Sequence, residues 1–138
     1  MSGLTLTEAE AILSAAKAKA VENGFIGSVS VVDARGDLIA MFRLDGGPWR
    51  SPYISRGKAV ASACFGAPTG ALEERAQRPV MRGMMAIEGG HMIPGKGALP
   101  IFRNGELIGA AGGSGGTAEQ DEDCCRAGIE AAGLSVTR

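Results

Sequence analysis

Aromatic residues are scarce in this chain. They make up 4% of its 138 residues, with one Trp, one Tyr and four Phe. So few rings leave the packing to small side chains, and Gly alone occurs 22 times. A small domain with few aromatic anchors often gains core by self-association, so a homo-oligomer is expected. An excess of charge of one sign is also missing: 14 Lys and Arg face 15 Asp and Glu, for a formal net charge of −1. The basic residues Arg43, Arg50, Arg56, Lys58, Arg75, Arg78 and Arg82 are scattered and form no run. That balance gives no electrostatic drive toward nucleic acid or an anionic membrane, and neither partner is expected. No apolar run approaches the roughly 18 residues of a membrane-spanning helix. The opening Met1-Ser2-Gly3-Leu4-Thr5 has no basic segment followed by an apolar one, so no signal peptide is expected. Cysteine is limited to Cys64, Cys124 and Cys125. The count is odd, two are adjacent, and there is no C-x-x-C. This predicts a reducing, cytoplasmic setting and no cysteine-based metal site.

What is present is hydrophobic periodicity punctuated by turn signals. Thr5-Leu6-Thr7-Glu8 has the form of a capping box. After it, Leu6, Ala9, Leu13, Ala16 and Ala20 recur at helical spacing, with Glu10, Lys17 and Lys19 opposite. This predicts a helix of about 18 residues that ends at Asn23-Gly24. Residues 26–32 and 38–44 are rich in β-branched and apolar side chains, and Asp33-Ala34-Arg35-Gly36-Asp37 between them reads as the turn of a hairpin. Ser51-Pro52 opens a second helix, with Ser51 as N-cap and Pro52 at its first helical position, running to about Phe65. Thr69 begins a short helix, and residues 79–88 add another turn or two. Gly89-Gly90 restarts extended chain. Asn104-Gly105 is the strongest hairpin signal, because a two-residue type I′ turn wants positive φ at both positions. Residues 99–102 and 107–111 are its arms. Thr117 with Gln120 forms a second capping box, and a last helix runs to about Ala132.

The element order is therefore α-ββ-α-α-(β)ββ-α, with no repeat and no linker. It predicts one α+β domain spanning residues 1–138. Its centre is a mostly antiparallel sheet of about five strands built from hairpins and flanked by helices.

Several stretches carry a family resemblance. They are Leu4-Thr5-Leu6-Thr7-Glu8-Ala9, Val29-Ser30-Val31-Val32-Asp33-Ala34-Arg35-Gly36-Asp37-Leu38, and Met41-x-Arg43-Leu44-Asp45-Gly46. Further on come Lys58-Ala59, Gly89-Gly90, Ile93-Pro94-Gly95 and Leu99-Pro100-Ile101. The closing stretch is Ile108-Gly109-Ala110-Ala111-Gly112-Gly113-Ser114-Gly115-Gly116-Thr117-x-x-Gln120-Asp121. Together they span nearly the whole chain, in order. The chain resembles the GlcG/HbpS/PduO-C-terminal family. The resemblance implies a sheet flanked by helices and assembly as dimers, up to octamers. It implies haem binding or degradation in some members and lyase activity on aromatic acids in at least one branch. The family thus implies the fold more firmly than the chemistry.

Candidate residues follow from side-chain chemistry set beside that resemblance. Lys58 shares a helical face with Ile54, Ala61 and Phe65. A Lys there needs a carboxylate partner, a ligand anion or a route to water. His91 is the only histidine and can serve as a haem ligand or general base. The resemblance assigns it no role. The glycine-rich stretch 112–116 feeds a helix N-terminus, but the acidic residues that follow would repel phosphate. It also lacks the P-loop Lys, and Ser114 is not read as the nucleophile of a Ser-His-Asp hydrolase. Close backbone packing is the preferred reading of these glycines. Glu119 is a candidate acid/base or a partner for Lys58. Met81, Met84, Met85 and Met92 form a soft apolar group beside Arg78 and Arg82, read either as core or as a pocket wall. Cys124 and Cys125 read as core.

Three functions stay open. The leading one is a pocket for a flat carboxylated ligand, haem or another tetrapyrrole by resemblance, with Arg50, Arg56, Lys58 and Met85 as ligand-binding candidates. The second is a cofactor-independent lyase or isomerase of a small organic acid, with Lys58, His91 and Glu119 as acid–base candidates. The third is an oligomeric assembly partner without chemistry. No metal site is expected.

Overall fold

The structure, a computed structural model, describes residues 3–138. In chain order it contains α1 (Leu6–Asn23), β1 (Ser28–Asp33), β2 (Leu38–Arg43) and α2 (Ser51–Phe65). Two 3₁₀ turns follow (Thr69–Leu72 and Arg75–Gln77), then α3 (Pro79–Ile87), β3 (Ala98–Arg103), β4 (Glu106–Ser114) and α4 (Ala118–Ala131). The sheet is antiparallel throughout, in the order β2-β1-β4-β3. Both predicted capping boxes form, Thr5 with Glu8 and Thr117 with Gln120. Asn104 and Gly105 take φ of 51° and 80°, as their turn requires.

The alternation of a strand sorts side chains onto two faces. Val29 and Val31 of β1 enter the main core with Ala9, Ile12, Ala16 and Ala20 of α1 and Cys124, Cys125 and Ile129 of α4. Ser28, Ser30 and Val32 face α2 instead. Ser28 shares a hydrogen bond with Ser51 at 2.8 Å and Ser30 with Ser55 at 2.7 Å, while Val32 packs on Ala59, Ala63 and Ala110. The result is three layers: α1 with α4, the sheet, and α2. The α2 layer lies very close to the sheet. A Cβ on Gly112 of β4 would stand 2.3 Å from the Ser55 carbonyl oxygen and 2.8 Å from the Ala59 nitrogen. Backbone packs on backbone there, as expected for the glycine-rich stretch.

The structure corrects the sequence reading at several places. The sheet has four strands, not about five. Residues 91–96 join no strand, because Pro94 cannot donate and the Ile93 amide donates to the Gly57 carbonyl of α2 at 3.0 Å. The outer edge of β3 is touched by a single bridge from Phe102 to Ser135. His91 therefore lies in irregular chain rather than at a strand start. The buried stripe of α1 runs through Ala9, Ile12, Ala16 and Ala20, whereas Leu6 is 55% exposed. The face is rotated because α1 crosses α4 at Ile12 and Gly128. Ser51 is not the N-cap of α2. That position is Arg50, without a side-chain cap, while the Ser51 hydroxyl, buried against Ser28, donates to the Pro48 carbonyl at 2.8 Å. The glycine stretch is mostly strand: residues 112–114 belong to β4, leaving Gly115 and Gly116 as the turn.

Candidate functional site

α2 organises the chemistry on both of its flanks. On one flank, Gly57 leaves room for Ile93, whose Cδ1 would lie 2.7 Å from a Cβ at that position. The segment after α3 therefore docks along the helix. Met92 turns inward against Ala61 and Leu72, and His91 stays exposed. Between this segment and α2 lies a cleft of about 190 Å³, lined by Tyr53, Arg56, Gly57, Gly90 and His91. Arg56 is half-buried, and its Nε is fully buried with no hydrogen-bond partner among the described residues. A buried guanidinium nitrogen without an acceptor is costly and calls for a carboxylate or carbonyl. The cleft thus joins an imidazole, an unsatisfied cationic donor and a phenol ring.

A larger hollow of about 370 Å³ lies elsewhere, at the hairpin turns, between the Asp33–Arg35 turn and Glu106–Ile108. It is open, and the Asp33 carboxylate there is engaged by the Arg35 and Asp37 amides at 2.9 and 3.0 Å. The smaller cleft is the stronger candidate because its polar groups are unsatisfied and chemically varied.

Lys58 serves the other flank. Its Nζ donates to the Gly113 carbonyl at 3.0 Å and to Asp121 Oδ2 at 3.1 Å. The two side chains are 11% and 4% exposed. Asp121 Oδ1 also accepts from the Gly116 amide at 3.0 Å. This one carboxylate therefore ties α2, the turn after β4 and the first turn of α4 together. Burial raises its pKa, and Lys58 pulls against that shift. Glu119, by contrast, is 71% exposed on its side chain and pairs with Lys96 at 3.4 Å. Its own backbone amide and Lys96 hold its carboxyl below the usual range. Lys58, His91 and Glu119 thus occupy three different neighbourhoods.

Among the ligand-binding candidates, Arg56 is on the cleft wall. Arg50 is exposed at the start of α2, just before it. Met85 sits half-buried on α3 and does not line the cleft. Met81 and Met92 are core. Cys124 and Cys125 are buried, and burial pushes the Cys124 thiol up to about 11. Sequence reasoning missed Tyr53 and Gly90 as cleft residues and Asp121 as the partner of Lys58. For Asp121 a signal existed: it shares an i, i+3, i+4, i+7 stripe with Cys124, Cys125 and Gly128. A carboxylate on that apolar stripe is what a Lys on an apolar stripe requires. Among the described residues, no three His, Cys, Asp or Glu side chains gather as a metal site, and no helix is long and apolar enough to cross a membrane.

Residues 4–130 match the family model described as haem degrading protein HbpS-like. Protein GlcG of Escherichia coli is 32% identical over 105 residues, 75% of each chain. The crystal structure of the PduOC:heme complex superposes with a TM-score of 0.87 at 25% identity, covering 99% of both chains. That of a double mutant of Streptomyces reticuli HbpS gives 0.82 at 27% identity, covering 94% of this chain and 87% of the other.

Proposed function

The chain belongs to the HbpS-like family of haem degrading proteins, and from that premise we propose that it binds haem at the Arg56–His91 cleft. One observation carries the proposal. The only histidine and a guanidinium whose buried Nε has no partner meet on the same cleft. The donor set fits the ligand. An imidazole is a common axial ligand of haem iron, and an arginine matches a propionate carboxylate. A structural relative named for its haem complex adds support.

Size defines how the ligand would sit. The cleft holds about 190 Å³, below the roughly 300–1,000 Å³ of pockets that enclose drug-sized molecules. It can take one edge of a porphyrin, with the rest of the ring outside. Arg56 would hold a propionate, and His91, exposed and following two glycines, would face the iron. Bound haem would bring iron-centred ligand and redox chemistry to a surface position. Lys58 is assigned to Asp121 rather than to the ligand.

Self-association as a dimer up to an octamer belongs to the same proposal. Val80 and Ile87 of α3 are 68% and 83% exposed, a large apolar contribution from so short a helix. A reducing compartment suits the three free thiols.

The test is a haem titration followed by the Soret band, on wild type, His91→Ala and Arg56→Met. Wild type should saturate at a fixed stoichiometry. His91→Ala should shift the band, and Arg56→Met should weaken binding by about tenfold or more, the usual worth of a charge-assisted hydrogen bond. A non-saturating band, identical in all three proteins, would refute the proposal.

A further inference from the structure

The chain's one Trp and one Tyr stand together on the surface beside the cleft. Tyr53 is on the cleft wall, and the Trp49 ring meets it edge-on, with centroids 6.4 Å apart and planes at 67°. Trp49 is 74% exposed and Tyr53 70%. A fold so poor in aromatics has put its two amphipathic rings outside the core, although rings of this size are among the largest apolar surfaces a core can bury. Exposed rings grouped this way mark a contact surface. The charges around them point to the kind of contact. Arg50 adjoins Trp49 in sequence, is exposed, and makes no side-chain hydrogen bond or ion pair among the described residues. Arg56, one turn beyond Tyr53, carries the unpartnered Nε. Two uncommitted guanidinium groups thus alternate along the chain with the two exposed rings.

We infer that Trp49 and Tyr53 form a shelf for a planar dicarboxylate, one ring stacking on its face and the other, set at 67° to the first, meeting its edge, with Arg50 and Arg56 taking its two acid groups. The recognised features are the flat ring and the carboxylates, not a metal. This rests on the reading that Arg56 receives a ligand carboxylate, and it extends the ligand class to metal-free tetrapyrroles. It also accounts for the small cleft, since the part of the ring that the cleft does not enclose lies on the shelf.

Protoporphyrin without iron tests this, because His91 cannot ligate it. Trp49 is the only tryptophan, so its emission reports the shelf alone. Porphyrin should quench it saturably in wild type and equally in His91→Ala. Stacking on an aromatic side chain is worth enough that Tyr53→Ala should weaken porphyrin binding about tenfold. Trp49→Ala, followed by porphyrin absorbance, should do the same. Arg50→Met and Arg56→Met should each weaken it, and the dimethyl ester should not compete. Both rings are exposed, so circular dichroism should show these variants folded.

If haem binds in a His91-dependent way but porphyrin affinity ignores Tyr53→Ala and Trp49→Ala, the shelf is wrong and the haem site stands. If porphyrin binds through the shelf and haem binding ignores His91→Ala, the shelf stands and the iron ligand is wrong. If Trp49 emission is insensitive to porphyrin and Trp49→Ala changes the oligomeric state, a second copy of the chain covers the shelf and the inference is overturned. If neither ligand binds, both readings fail.

Discussion

Replacing Lys58 with Met would strip the ammonium from a carboxylate that has almost no access to water. Asp121 is 4% exposed on its side chain and Lys58 11%, so solvent screens the pair little. Removing one member of such a pair leaves a buried, uncompensated charge, at a cost of about 3–5 kcal/mol. That is a large part of the roughly 5–15 kcal/mol by which a domain is stable. Urea unfolding followed by far-UV circular dichroism measures it; Trp49 is too exposed to report. With a slope of about 2 kcal/mol per molar, a 4 kcal/mol loss moves the midpoint by about 2 M. The sign of the pH dependence is also fixed. Burial raises the folded-state pKa of Asp121 above its ordinary 3.8, against the opposing pull of Lys58. Below that ordinary value the group is protonated in both states and costs nothing. As pH rises through the raised folded value, ionisation in the buried site removes stability. Without Lys58 the folded value climbs further, so the loss still begins near the ordinary value but continues to higher pH and grows larger. The deficit of Lys58→Met should therefore be greatest at neutral pH and shrink as pH falls. The pair Lys58→Met, Asp121→Leu should recover most of it, because apolar replacement of both partners is often neutral. A deficit under about 1 kcal/mol, or one indifferent to pH, would refute the reasoning.

Two further outcomes follow from packing. Gly112→Ala should destabilise by about 1–3 kcal/mol or more, because its Cβ would meet backbone atoms of α2 at 2.3 and 2.8 Å and only a shift of the whole helix relieves that; urea unfolding would show it, and a wild-type midpoint would disprove the close approach. Trypsin should cut first after Arg75 and Arg82, which are exposed around a helix that buries only Met81; haem should slow those cuts if His91, just beyond α3, is immobilised, and equal rates would argue against that.

Much of the fold was legible because local physics and tertiary packing agree. Capping boxes at Thr5 and Thr117 and the turn at Asn104-Gly105 are decided within a few residues. The glycines of β4 read as close packing, and Gly112 and Gly113 do face α2 and Asp121. Where the sequence misled, a distant partner had taken over a local group. Ser51 has the chemistry of a cap, yet its hydroxyl donates to the Pro48 carbonyl and shares a second hydrogen bond with Ser28 across the interface. The extended stretch after Gly90 could have joined the sheet, yet its Ile93 amide found a helix carbonyl.

The sequence by itself determined the family, the α+β class, the hairpins and the short roster of polar side chains on which any chemistry depends. It did so because periodicity, caps and turns are short-range properties of the chain. Only the tertiary structure decided which of those side chains meet. Lys58 and Asp121 are 63 residues apart, and their pairing across α2 and α4 commits the Lys58 ammonium to a buried carboxylate. Arg56 and His91 come onto one cleft because Gly57 lets the segment after α3 approach α2. Such meetings depend on how layers stack and where backbones can touch, and spacing along the chain does not encode them.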